Sequence, residues 1–236
     1  MRDYRTHLQT VLKRKPATIN TGLAAINDFY VRRGIGPVSA ERAELARSAP
    51  KALSKRAALR FLRGVETSLS ARDRAIALVP FYAGTRISEI TALNVKDVRL
   101  SARNNTLRIY GTADKRREVP IHPQLRAALT DWLDERADWP AVDSPALFLN
   151  QRGTRLSVSA AHDIITTIAQ TARLHDTTAR VLRHTFATRL VRGGTDLMIV
   201  ADLLGHTRLE TTGAYTGRPP SLTHAIKALE LLDVDQ

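Results

Sequence analysis

The sequence predicts a mainly α-helical protein with one small antiparallel β-sheet, an α+β class. Three observations predict it. Apolar residues recur at helical spacing along most of the chain. The strand-like runs that could pair into a sheet lie between residues 95 and 121. Glycine, proline and asparagine punctuate the changes of period.

The elements follow in order. Tyr4, Leu8, Val11 and Leu12 fall at helical spacing. Pro16 opens a second helix, with Ile19, Leu23, Ile26, Phe29 and Tyr30 along it, and Gly34, Gly36 and Pro37 end it. A short helix is expected over 40–47, then a linker over 48–53. Ser54 caps a helix near 54–66, and a further helix spans about 70–83. Gly84 breaks that helix and a new one starts at 85–90. Strands are expected at 95–100, 106–110 and 118–121, with turns at 104–105 and 111–117. Residues 123–137 return to helix, and 146–150 form a short extended piece. From 157 onward the pattern is helical, interrupted at 175–177, 193–194, 205 and 219–220. The domain expectation is thus a helical 1–47, a linker 48–53 and a larger 54–236.

Composition narrows the function. The 236 residues suffice for a buried core, and 43% hydrophobic with 25% charged is ordinary for a soluble chain. There is no cysteine, which excludes disulfides, thiol catalysis and cysteine–metal sites. No apolar run reaches the roughly 18 residues of a membrane span, and the first residues are too polar for a signal peptide. A cytoplasmic, nucleoid-associated location is expected. The formal charge is +13, which favours a polyanionic partner. The first 53 residues hold 10 basic against 4 acidic side chains, so they are the more basic part per residue.

Several polar residues stand out. Arg86 and Glu89 are spaced i,i+3 after Gly84, as in an ordinary surface ion pair. Lys115 lies in a charged hairpin between two strands. Arg180 and Arg183 share a helix face, where two guanidinium groups repel unless an anion such as phosphate sits between them. Gly205 suits the left-handed end of the helix before it, and His206 follows. Thr207 and Glu210 have capping-box spacing for a next helix. Tyr215 sits among small polar residues, which suits an outward-facing hydroxyl better than a core position.

Together these pieces resemble the tyrosine site-specific recombinases, the phage-integrase family. They are Ala83-Gly-Thr-Arg-Ile-Ser-Glu-Ile90, Lys115 before Val119-Pro120, Leu182-Arg-His-Thr-Phe-Ala-Thr188, and Leu203-Leu-Gly-His206 with Tyr215. Their order and spacing match over nearly all of 54–236. The resemblance implies a recombinase catalytic domain behind a short helical core-binding domain. It implies DNA strand exchange through a 3′-phosphotyrosyl intermediate, of integrase or transposase type, with no cofactor and no metal. Tyr215 would be the nucleophile. Arg86 and Arg183 would clamp the scissile phosphate. Lys115 would protonate the leaving 5′-oxygen, and His206 would hydrogen-bond a non-bridging oxygen. Glu89 would orient its neighbours. Arg180 stands where the family usually has histidine, and can donate to phosphate but not take a proton. His184, one helical step from Arg183, reads as structural.

The implied partners are double-stranded DNA and further copies of the chain, a tetramer on DNA, with accessory DNA-bending proteins possible and no membrane. Residues 221–232 form an apolar-striped helix expected to dock on a neighbouring protomer. The front domain, at about 50 residues, is shorter than the family's usual one. Two alternatives stay open: a non-catalytic DNA-binding relative, and a type IB topoisomerase-like nicking and resealing enzyme. A generic RNA-binding module leaves the ordered Arg–Lys–Arg–His–Tyr series unexplained.

Overall fold

A computed structural model describes residues 2–38, 41–44, 52–101, 105–111, 116–140 and 143–205. The chain divides into two compact units, Met1–Ala49 and Pro50–Gln236.

In the first unit, α1 (Arg2–Thr6) runs into a π-helical turn (His7–Val11). Helix α2 (Pro16–Arg32) starts with proline in its first turn, where the missing N–H costs nothing. Leu8, Ile19, Leu23 and Ala43 form a small core. The helix expected over 40–47 is not seen at 41–44, its described part. The cause is Asn20. Its Oδ1 accepts from the Ala43 N–H at 2.8 Å, and its Nδ2 donates to the Ala43 carbonyl at 2.9 Å. A side-chain amide pairs with both backbone groups of Ala43, taking the donor and acceptor that helical hydrogen bonds would use.

In the second unit, α3 (Lys55–Glu66) and α4 (Ala71–Ala83) are capped by the hydroxyls of Ser54 and Ser70. Helix α4 is buried continuously from Ala75 to Ala83 and packs against α6 (Pro123–Arg136), α7 (Val158–Thr171) and α8 (Ala179–Arg192). Trp132, Phe61, Phe81, Phe148 and Phe186 fill the core around it, and Trp132 donates its indole N–H to the Leu147 carbonyl at 2.9 Å. Among the described residues no helix is long and apolar enough to cross a membrane.

The sheet has three antiparallel strands in the order β1 (Val98–Arg99), β2 (Thr106–Tyr110), β3 (Arg116–Pro120). The first strand is shorter than the sequence suggested, because Val95–Asp97 is a 3₁₀ turn. The buried Asp97 carboxylate accepts from the Asn94 N–H at 2.9 Å, and the Val95 N–H turns to the Pro145 carbonyl. The third strand begins two residues earlier than expected and ends one earlier. Arg116 and Arg117 pair opposite Tyr110 and Ile109 instead of lying in a turn. The expected extended piece at 146–150 appears as isolated bridges, Asn94 to Ala146 and Leu149 to Arg155.

Candidate phosphate-binding site

The site grows from the end of α4. Gly84 terminates that helix in the left-handed region, at φ 58°. A Cβ there would lie 2.5 Å from Phe186 Cδ1, so both conformation and space demand glycine. The turn places Arg86 as the N-cap of α5 (Ile87–Ala92). Glu89, at the third position of α5, reaches back and accepts the Arg86 backbone N–H at 2.7 Å. It also accepts from Arg86 Nη1 at 2.9 Å.

Glu89 is no surface partner, however: its side chain is 5% exposed. It owes this to Arg117, whose Nη1 and Nη2 donate to Oε1 at 3.0 Å and Oε2 at 2.8 Å, in a two-pronged pair. Arg117 Nε donates to the Leu203 carbonyl at 2.8 Å, near the end of α9 (Leu197–Leu204). Gly205, at φ 64°, ends α9 and passes so close that a Cβ would sit 2.9 Å from Arg117 Nη1.

Arg183, on α8, closes the cluster. Its Nη1 donates to the Gly84 carbonyl at 2.7 Å and its Nη2 to the Leu204 carbonyl at 2.8 Å. The Glu89 carboxylate lies 3.7 Å from Nη1. Three guanidinium groups therefore surround one carboxylate, leaving a net positive pocket. Burial, with Arg86 and Arg117 close by and Glu89 only partly offsetting them, lowers the Arg183 pKa to about 10. Burial alone would raise Glu89. The hydrogen bonds from Arg117 and from the Arg86 backbone and side chain, with the Arg117 charge, override it and hold the carboxyl below its ordinary range.

Arg86 keeps its side chain 44% exposed, against 10% for Arg117 and 13% for Arg183. It is thus the member of the cluster placed to meet a ligand. An exposed, preorganised guanidinium backed by buried ones suits a phosphate.

Of the residues singled out in the sequence, Arg86, Glu89 and Arg183 come together here. Arg180 is exposed, at the first turn of α8, and takes no part in the Glu89 cluster. The repulsion expected between Arg180 and Arg183 is relieved because Arg183 turns inward to two carbonyls. His184 is half-buried on the same helix. Lys115, His206, Tyr215, the Thr207–Glu210 capping spacing, most of the linker and the helix expected at 221–232 lie outside the described residues. Arg117 is the residue that sequence reasoning missed. Its signal was the two-residue alternation of β3: it shares a face with buried Val119, whereas Glu118 points out to Arg108.

Residues 51–220 match the model of the phage integrase family. The tyrosine recombinase XerC of Pelobacter propionicus is 34% identical over 227 residues, covering 92% of this chain and 73% of the relative. The XerC of Mycobacterium leprae is 40% identical over 151 residues, covering 63% of this chain and 50% of the relative. The structure of the XerH site-specific recombinase bound to a palindromic difH substrate, a post-cleavage complex, superposes with a TM-score of 0.73 at 25% identity. That match covers 88% of this chain, which spans 65% of the XerH chain. The Tn1549 transposon integrase in complex with circular intermediate DNA shares the fold, with a TM-score of 0.70 at 17% identity over 95% of this chain and 82% of that one.

Proposed function

The chain belongs to the phage integrase family of tyrosine recombinases, enzymes that catalyse DNA strand exchange, and on that premise we propose that the Glu89 cluster grips the scissile phosphate while Tyr215 attacks it. The observation behind the assignment is the half-exposed Arg86 guanidinium, fixed by a buried carboxylate beside buried Arg183.

The tyrosine oxygen forms a bond to phosphorus and the 5′-oxygen leaves, giving a 3′-phosphotyrosyl bond and a 5′-hydroxyl. Lys115 gives the leaving oxygen its proton. The tyrosine proton passes to solvent, and the surrounding positive charge favours the phenolate. Arg86 and Arg183 offset the charge that builds on the phosphoryl oxygens, with His206 and Arg180 donating further hydrogen bonds. A second strand's 5′-hydroxyl then reverses the step in a new partnership, so the phosphoester energy is kept. The first unit, rich in lysine and arginine, holds duplex DNA by its phosphates, and binding weakens steeply with salt. The active species is a tetramer on DNA, joined through residues 221–232.

The test is covalent adduct formation in EDTA with a pooled library of nicked duplexes. A denaturation-resistant adduct that maps to Tyr215 and vanishes in Tyr215→Phe is expected. An adduct on another residue, or none despite DNA binding, overturns the assignment.

A further inference from the structure

We propose that Arg117 is a positioning residue for Arg86: by occupying one side of the Glu89 carboxylate it keeps the Arg86 guanidinium outward and available to a DNA phosphate. The proposal rests on the reading of this cluster as a phosphate clamp.

The argument is one of acceptor sites. A carboxylate offers about four lone-pair positions. At Glu89 all four are taken. Oε1 accepts from Arg86 Nη1 and Arg117 Nη1; Oε2 accepts from the Arg86 backbone N–H and Arg117 Nη2. Arg86 therefore holds the carboxylate through one guanidinium nitrogen only, and its side chain stays 44% exposed. Two-pronged pairing is the stronger geometry for arginine and carboxylate. With Arg117 absent, two acceptor sites open beside Arg86, and the surplus charge of a buried carboxylate draws its fork inward. The clamp then loses its exposed member. Arg117 touches no ligand itself, because it is anchored to the Leu203 carbonyl and covered by Gly205.

The salt dependence of duplex binding reads this directly, since each phosphate contact contributes about 0.9 to the slope of log affinity against log salt. Arg86→Gln should flatten the slope by about one contact. Arg117→Gln should flatten it by a similar amount, and adding Arg86→Gln to Arg117→Gln should change nothing further. Glu89→Gln added to Arg117→Gln removes the carboxylate that captures Arg86 and should restore the slope. A purely structural role gives no such rescue. If Arg117→Gln does not fold, Arg117→Lys, which keeps the charge and gives up the fork, takes its place in the same cycle. The proposal is overturned if Arg86→Gln flattens the slope equally in both backgrounds, or if Glu89→Gln restores nothing. Adduct formation by the unaltered chain is measured in parallel. An adduct without coupling between Arg117 and Arg86 sinks this proposal and leaves the recombinase reading standing. Coupling without an adduct does the reverse.

Discussion

Glu89 and Arg117 stand 28 positions apart in the chain and meet fork to fork at 3.0 and 2.8 Å. A strand and a helix N-terminus are joined by this pair in the interior, where losing one partner leaves an uncompensated charge. Replacing one member of such a pair costs about 3–5 kcal/mol.

That cost should be pH-dependent for Glu89→Gln. The folded-state pKa of Glu89 lies below its ordinary 4.5. The carboxylate's contribution is therefore fully present above pH 4.5 and is lost as pH falls through the folded value. Urea unfolding at a series of pH values should show the stability gap between the native chain and Glu89→Gln closing on the acid side. A gap constant down to strong acid contradicts this.

Gly84 and Gly194 separate conformation from crowding. Both have positive φ, 58° and 83°, but a Cβ on Gly194 meets nothing within 4 Å. Gly194→Ala should cost about 1–2 kcal/mol. Gly84→Ala should cost about 2–4 kcal/mol, because it also drives into Phe186. Equal denaturation midpoints for the two variants refute the crowding.

Asn20→Ala should release residue 43. Two hydrogen bonds disappear, and a loss of about 1–3 kcal/mol follows for the first unit. The Ala43 amide should exchange with solvent markedly faster. Unchanged protection at that amide means that something other than Asn20 holds the segment.

Lys115→Ala should slow cleavage of a normal phosphodiester but be tolerated on a 5′-bridging phosphorothiolate, whose sulfur leaves without needing a proton. Equal damage on both substrates removes Lys115 from the acid role.

Much of this was legible in the sequence for a physical reason. Ser54, Ser70 and Gly84 act through local backbone chemistry, so the helices they bound appear within a residue or two of expectation. Arg86 with Glu89 was legible as an i,i+3 pair. The burial of Glu89 was not, because the side chains that close on it, Arg117 and Arg183, arrive from β3 and α8. The same holds for Asn20, whose partner Ala43 is 23 residues away and whose amide occupies the backbone groups that the expected helix would use. Long-range polar contacts of this kind leave no periodicity to read.

Arg117 and Arg183 donate to the carbonyls of Leu203 and Leu204, in the last turn of α9. A helix ends in partial negative charge, and two cations here complete it. If Arg183 also holds a phosphate, then occupancy of the clamp and firmness of that last turn are thermodynamically linked. A ligand that draws the guanidinium toward itself takes a donor from Leu204, and a loosened turn changes the ligand's affinity by the same factor. Occupancy of the clamp would in this way be felt, through a single side chain, in the last turn of α9.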